Sequence, residues 1–518
     1  MPKRHPTAAL SLDEIRAFIP GSPATATLQR PMPRPGIDLR RVALSQRRTK
    51  IVATLGPASA SPEMLTQLVL AGVDVFRLNF SHGTHAAHAA TYAAARVAAI
   101  AAGRHVAILA DLCGPKIRVG RFRDGGIDLV SGEQVVVTCR EGVEGMAGLI
   151  PSEYDALARD VKPGDRILLD DGKLELRVIA AQHPEVACEV VHGGRLRDRK
   201  GMNLPGVEVS TPALTPKDRT DAAFAVSLGV DYLALSFVRD ARDVEDLKAL
   251  VQAAGAHTPI IAKIEKPEAL AAIGAILEAS NGIMVARGDL GVEMPAEEVP
   301  IIQQELVRLG RRSARPVIVA TQMLESMIDS PRPTRAEVND VASAAFTGAD
   351  AVMLSAETAS GRFPVEAVAT LDRVLRQVEG YQWAHGRFGR VDDEDLPEYS
   401  SEEGVALARS AAQLSRDLSV RAVVVPARSG RTVHVVSSQR PSAPILATCD
   451  SPALCRRLAL LWGVSPELVQ AESLDHPTRL APALALTLGY AEKGQHLLLV
   501  WNADPDGGRA PTISVLRA

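Results

Sequence analysis

A chain of 518 residues exceeds the size at which a single hydrophobic core stops growing, so roughly two to four domains are expected. A formal net charge of −3 with 23% charged residues leaves no single-sign field for wholesale binding to nucleic acid or acidic lipid. Aromatic residues make up only 3%, so Ala, Val and Leu must fill the interior, as suits layered α/β packing.

Residues 1–47 mix Pro, Arg and Ser around one helix-like piece, Leu12–Phe18, and read as an N-terminal extension. Its basic start is followed by Asp13 and Glu14 with no apolar core of about 7–15 residues, so it is a poor secretory signal. From Thr49 short apolar runs alternate with helix-like segments: Lys50–Leu55, Val73–Asn79, Val106–Asp111, Tyr232–Phe237, Pro259–Glu265, Gly282–Arg287, Pro316–Thr321 and Ala351–Leu354. Strands apolar on both faces and separated by helices predict a parallel sheet, and eight such units close a (β/α)8 TIM barrel. An open doubly wound sheet is the alternative. The Ala-rich run 86–103 is interrupted by His88 and Arg96 and predicts an amphipathic helix, short of the roughly 18 uninterrupted apolar residues of a membrane span.

The rhythm breaks after the third run. Residues 117–210 carry alternating segments (Glu133–Thr138, Arg166–Leu169, Lys173–Val178) and the turn Asp171-Gly172, the pattern of a small all-β domain. Leaving from a strand's C-terminal end, this insertion would sit as a lid over the barrel mouth, where such barrels keep their active sites. The barrel is thus assigned to 48–116 and 211–385. A helix at Pro364–Val378 leads into the polar stretch Gly389–Glu403, a boundary, and residues 400–518 read as a separate α/β domain. Five cysteines without a CxxC pair (Cys113, Cys139, Cys188, Cys449, Cys455) argue against a disulfide framework or structural zinc and for a reducing, cytoplasmic compartment.

Polar residues end the barrel runs: Arg77, Asn79 and Ser81 the second, Asp111 the third, Lys263 and Glu265 the fifth, Gly288 and Asp289 just past the sixth, Thr321 the seventh. All converge on one rim, where isolated charges would be costly to desolvate unless paired with each other, a metal or a substrate. Glu265 and Asp289, from neighbouring strands, suit a hard divalent cation; each could instead pair with Lys263 or Arg287. Lys263 shares a strand face with Glu265 and could neutralise charge on a substrate oxygen, or form a structural salt bridge. The glycines of Ala286–Gly291 suggest a cradle of free N–H groups for an anion. Ser429, Gly430, Arg431 and Thr432, between a strand and a helix start, offer a second anion site or simply a capped helix.

The strings TKIVATLGPAS (49–59), FRLNFSHG (76–83), DLCGPKIR (111–118), KGMNLPG (200–206), LSFVR (235–239), IAKIEKPEAL (261–270), MVARGDLGVEMP (284–295), ATQMLESMI (320–328) and MLSAETASGRFPVEAV (353–368) resemble those of the pyruvate kinase family, in the family's order. With SGRT (429–432) and RPSAPILA (440–447), the resemblance spans about residues 48–470. It implies a barrel with a β-barrel lid and a C-terminal regulatory domain, and a glycolytic transfer of the phosphoryl group of phosphoenolpyruvate to ADP, giving pyruvate and ATP. Carried over by motif, Glu265 and Asp289 would hold Mg2+, with Mn2+ as a substitute, and Lys263 would stabilise the transferring phosphoryl group and the enolate oxygen. Arg77 would grip the phosphate. Gly288, Asp289 and Thr321 would seat the carboxylate, with Thr321 near the carbon that is protonated, and Asn79, His82, Arg118 and Lys200 would contact the nucleotide. A homotetramer and a phosphorylated effector at Ser429–Thr432 are implied by the same resemblance.

One departure from the family pattern concerns K+. Members that need it bind it through residues matching Asn79, Ser81, Asp111 and the residue after that Asp, with a Glu in the position of Lys116. Here that following residue is Leu112, not Thr, and the Lys116 ammonium is expected to supply the monovalent charge, so that K+ is not required. Two rivals remain from the residues alone: a magnesium-dependent oxo-acid lyase or aldolase, which gives no reason for the lid, and a catalytically silent sugar-phosphate-binding regulator, which gives no reason for the rim residues.

Overall fold

In the computed structural model, which describes residues 44–388, 402–501 and 511–518, every apolar run becomes a strand. β1 (Lys50–Thr54), β2 (Val75–Asn79) and β3 (Ala107–Asp111) come first. The insertion supplies β4 (Gly126–Leu129), β5 (Gln134–Thr138), β6 (Leu149–Pro151), β7 (Arg166–Leu169), β8 (Leu174–Gln182), β9 (Glu185–His192), β10 (Gly194–Arg197) and β11 (Met202–Asn203). The first set is completed by β12 (Tyr232–Leu235), β13 (Ile260–Ile264), β14 (Gly282–Ala286), β15 (Val317–Ala320) and β16 (Ala351–Leu354). β1–β3 and β12–β16 pair in parallel, each with its neighbours in chain order, and β16 returns to β1 to close the barrel. The open-sheet alternative is thereby excluded.

The two-residue period of a strand decides what faces where. Val52, Val75, Leu109, Ala234, Ile261, Met284, Ile318 and Met353 pack together in the interior, while Ile51, Phe76, Ile108, Leu233, Ala262, Val285, Val319 and Val352 pack in a separate cluster with residues of the helices. Continuing by twos toward each strand's C-terminus reaches Thr54, Arg77, Asp111, Ser236, Lys263 and Glu265. These side chains inherit the inward direction at the barrel mouth, which is why charge collects there. Helix starts are fixed locally. Ser61 and Thr84 accept from the amides three residues on, at 3.1 and 3.3 Å, while Thr215 with Asp218 and Thr334 with Glu337 form reciprocal capping boxes.

The insertion leaves after β3, as expected. Its strands form a six-stranded sheet (β11-β7-β8-β9-β5-β6) and a two-stranded ribbon (β10-β4) around one apolar core running from Val119 to Val209. Isolated bridges at Arg118–Gly201 and Val119–Ser152 add to these ladders, which do not close into one barrel.

The C-terminal unit has β17 (Val423–Pro426), β18 (Ile445–Cys449), β19 (Val464–Leu468), β20 (His496–Trp501) and β21 (Thr512–Arg517), ordered β19-β18-β17-β20-β21 with β21 antiparallel. It blocks the barrel's N-terminal end: Leu460 joins the barrel's interior cluster, Lys50 Nζ donates to the Val464 carbonyl at 2.6 Å, and Tyr232 Oη donates to the Arg457 carbonyl at 2.7 Å. The strand-end charges lie at the opposite, C-terminal end of the barrel, from which the insertion leaves after β3. The helix expected at Leu12–Phe18 and most of the Gly389–Glu403 boundary lie outside the described residues. No helix among the described residues is long and apolar enough to cross a membrane.

Candidate active site

Arg77 Nε donates to Asp111 Oδ2 at 2.6 Å and its Nη1 to Thr54 Oγ1 at 3.0 Å. Lys263 Nζ lies 2.9 Å from Glu265 Oε1 and 3.4 Å from Asp111 Oδ1, and donates to Ser236 Oγ at 2.7 Å. Glu265 Oε2 accepts from the Phe237 amide at 2.8 Å. Both carboxylate side chains are 1% exposed, so two cations and two anions neutralise one another in a nearly dry pocket. Burial alone would lower the Lys263 pKa, but the charges of Asp111 and Glu265 outweigh it and hold the ammonium above the ordinary lysine range. The Asp111 carboxyl is raised by burial but lowered further by Lys263 and Arg77, ending below its ordinary value. Glu265 goes the other way: burial, with the nearby charge of Asp289, raises it against the pull of Lys263.

Two buried oxygens of this cluster, Asp111 Oδ1 and Glu265 Oε1, have the Lys263 ammonium as their charged neighbour and no hydrogen-bond partner besides it. The Glu265 carboxylate, with the second carboxylate of Asp289 close enough to perturb it, fits a hard dication that takes one or two protein carboxylates and leaves its other positions to phosphate and water. Among the described residues no cluster of three or more His, Cys, Asp or Glu side chains could hold a metal.

Beyond β14 the chain turns directly into the helix Arg287–Glu293, which presents Asp289. Its side chain is 28% exposed and lies 3.8 Å from Lys116 Nζ. The expected cradle of free N–H groups is not free at Gly288, whose amide donates to Thr321 Oγ1 at 2.7 Å because the Thr321 turn packs against it. Thr321 and Gln322 have φ of 67° and 55°, a left-handed conformation that strains a β-branched residue. Arg287 straps that turn in place: its Nη2 donates to the Thr321 carbonyl at 2.6 Å and to that of Gln322 at 3.2 Å, while Nη1 donates to Asp340 at 2.8 Å. Arg287 therefore pairs with neither Glu265 nor Asp289; of the pairings considered from sequence, only Glu265 with Lys263 forms.

Of the residues expected on the nucleotide side, Asn79 ends β2 with His82 just after it, and Arg118 and Lys200 stand near the two ends of the insertion, where Arg118 bridges Gly201. Asn79 Oδ1 accepts from the Ser81 amide at 3.1 Å and its carbonyl from the His82 amide at 3.3 Å. The His82 imidazole is lowered by burial and then by the charges of Arg118, Lys116 and Arg77. Arg118 donates to the Arg199 carbonyl at 3.2 Å, and Lys200 pairs with Asp170 at 2.8 Å. Of the monovalent-cation position, Asp111 is held by Arg77 and Lys263, Leu112 is buried with its carbonyl bonded to Ser236 Oγ at 2.7 Å, and the ion pair of Lys116 is with Asp289.

Thr54, Ser236 and Arg287 were not singled out in the sequence for these roles. The first two carry a readable signal, since they are the last polar positions of the first and fourth runs at the same inward register. Arg287 does not, because only the fold brings the Thr321 turn within its reach.

Ser429, Gly430, Arg431 and Thr432 lead into the helix Arg431–Ser438, whose N-terminus is Gly430 at φ 83° without a side-chain cap. Ser429, Arg431 and Thr432 border a cavity of about 690 Å3 between the C-terminal unit and the barrel, with Arg315, His434 and Arg457 on its wall. A cavity of about 770 Å3 at the closed end of the barrel, around Lys50, Asp74 and Glu467, lies away from the strand-end charges. Chemistry rather than volume locates the candidate active site.

Residues 46–368 match the family model described as pyruvate kinase, barrel domain, and residues 405–516 the one described as pyruvate kinase, alpha/beta domain. The chain belongs to the pyruvate kinase family. Pyruvate kinases similar to it include that of Corynebacterium efficiens, 44% identical with 89% of this chain and 95% of the relative covered, and that of Mycobacterium tuberculosis, 43% identical with 89% and 96% covered. A crystal structure of a pyruvate kinase from Cryptosporidium parvum superposes with a TM-score of 0.82 at 34% identity, covering 91% of this chain and 96% of that one. The pyruvate kinase barrel match contains all the rim residues described above, from Thr54 to Thr321.

Proposed function

We propose that this chain transfers the phosphoryl group of phosphoenolpyruvate to ADP, forming pyruvate and ATP. The observation that carries the reading is the Lys263 ammonium seated between Asp111 and Glu265, at the ends of two strands with β12 between them, and with Arg77 one hydrogen bond away. Phosphoryl transfer needs positioning and charge neutralisation more than covalent chemistry, and each cation here has an anionic substrate group to meet. Arg77 grips the phosphate. Lys263, held charged by its carboxylates, neutralises the transferring phosphoryl group and then the enolate oxygen. Glu265 and Asp289 hold magnesium, or manganese, which when bound offsets charge on the phosphate and carboxylate oxygens. Gly288, Asp289 and the strapped turn at Thr321 seat the substrate carboxylate and leave Thr321 beside the carbon that receives a proton. Asn79, His82, Arg118 and Lys200 close on the nucleotide, from the rim and from the insertion.

In the same reading Lys116 supplies the monovalent charge in place of K+, its ammonium already drawn into the mouth by Asp289. The start of the helix Arg431–Ser438, with Arg315, Arg431 and Arg457 around it, takes a phosphorylated effector. A cytoplasmic homotetramer follows by family analogy. The test is product analysis with phosphoenolpyruvate and ADP as substrates: equimolar pyruvate and ATP, dependent on magnesium, are expected. Pyruvate released without ATP would transfer the assignment to a lyase, and no turnover of either substrate would favour the silent regulator.

A further inference from the structure

A buried carboxylate that no step above uses joins the insertion to the barrel. Glu293 ends the short helix that carries Gly288 and Asp289, one turn beyond Asp289 and so on the same face. Its Oε1 accepts from Lys266 Nζ at 2.8 Å and from Asn203 Nδ2 at 3.2 Å. The Glu293 side chain is 1% exposed and that of Lys266 12%, while Glu293 Oε2 is buried without a hydrogen bond. A charge placed this deeply is costly unless its partners hold it in one geometry.

Three elements meet at this atom. Lys266 directly follows Glu265, Glu293 shares a helix with Asp289, and Asn203 lies on β11. In the insertion, Asn203 stands opposite Leu168 and Met202 opposite Leu169. The next residue, Asp170, holds Lys200 at 2.8 Å. A second touch is nearby, since a Cβ added at Gly172 would lie 3.8 Å from Val292 Cγ1. The strand end bearing one metal-binding carboxylate, the helix bearing the other and the strand pair leading to Lys200 are therefore fastened at one point.

We propose that Glu293 is a positioning residue for the reaction, a clamp that sets the separation of Glu265 and Asp289 through Lys266 and couples it to the seating of the insertion on ADP through Asn203. The inference rests on the reading that Glu265 and Asp289 hold the divalent cation. Outer partners that orient metal-binding groups typically govern affinity by factors of about 10–100.

The test uses the full chain, with Mn2+ as the probe and the free-ion EPR signal as a readout independent of turnover. Glu293→Gln keeps the shape and removes the charge; it is expected to weaken Mn2+ binding about tenfold and to raise the KM for ADP. Asn203→Ala, a change at a half-buried position on the insertion, is expected to leave Mn2+ binding within about twofold while raising the KM for ADP by roughly threefold or more, with the KM for phosphoenolpyruvate unchanged. A purely structural role would instead lower the amount of active enzyme and leave these constants alone. Folded Glu293→Gln with wild-type Mn2+ binding and ADP KM overturns the proposal. Should Glu293→Gln fail to fold, Asn203→Ala decides alone, and an unchanged KM for ADP overturns it. Asp289→Asn separates the two readings: normal Mn2+ binding there would remove the metal assignment itself, whereas lost binding there with wild-type binding in Glu293→Gln removes only the clamp.

Discussion

Lys263 Nζ lies 2.9 Å from Glu265 Oε1, two residues along the same strand, so the group proposed to neutralise the transferring phosphoryl is held by a group proposed to bind the metal. The period-two rule that places both side chains in the barrel mouth also makes them neighbours. Lys263→Met is expected to lower kcat about 10²- to 10³-fold, roughly 3–4 kcal/mol, with a smaller effect on the KM for phosphoenolpyruvate. Steady-state kinetics check this, and near-normal turnover would remove Lys263 from the mechanism.

The strap from Arg287 to the carbonyls of Thr321 and Gln322 holds a backbone conformation that costs on the order of 1–3 kcal/mol. Arg287→Ala should let the turn relax and swing Thr321 Oγ1 away from the Gly288 amide. The expected loss in kcat/KM for phosphoenolpyruvate is roughly 10- to 100-fold, since small misplacements of positioning groups cost about that much. Arg287→Lys, which cannot fork to both carbonyls and Asp340, should recover little of it.

Monovalent-cation dependence tests Lys116. The unsubstituted chain is expected to turn over in potassium-free buffer, and Lys116→Glu, which inverts the charge beside Asp289, should make activity depend on added K+. Activity of the unsubstituted chain that vanished without K+ would refute this role of Lys116.

The C-terminal unit carries its own pH signature. Burial pushes the Glu467 carboxyl up from 4.5 to about 7, against a weaker opposing pull from Arg104. The folded chain thus keeps that proton over a range in which the unfolded chain releases it, so this group's contribution to stability falls as pH rises from about 4.5 to about 7. Glu467→Gln should be nearly neutral at pH 4.5 and stabilising by on the order of 2 kcal/mol at pH 8. Thermal or denaturant unfolding at the two pH values measures the difference; equal effects at both would contradict the burial argument.

The barrel was legible because its strands are apolar on both faces, bounded by turn formers and eight in number. The rim residues were legible because charge at the end of an apolar strand has few reasons to exist. β19 was missed: its run Val464–Leu468 contains Pro466 and Glu467, and only an edge strand, pairing with β18 alone, tolerates them. The helix Pro477–Thr487, with Pro482 inside it, was obscured for the same reason. Tertiary relations left no local trace at all. The Arg287 strap spans 34 positions to Thr321, and the contact of Asn203 with Glu293 spans 90, so each exists only once the barrel has closed and the insertion has settled on it.

The most direct measurement of the central claim is the magnesium dependence of turnover in Glu265→Gln, an isosteric change that removes the charge and leaves the acceptor for the Phe237 amide. If Glu265 and Asp289 hold the dication beside Lys263, kcat falls by about 10³-fold or more and half-saturation by magnesium moves sharply upward. Turnover near that of the unsubstituted chain, saturating at the same magnesium concentration, would contradict the account.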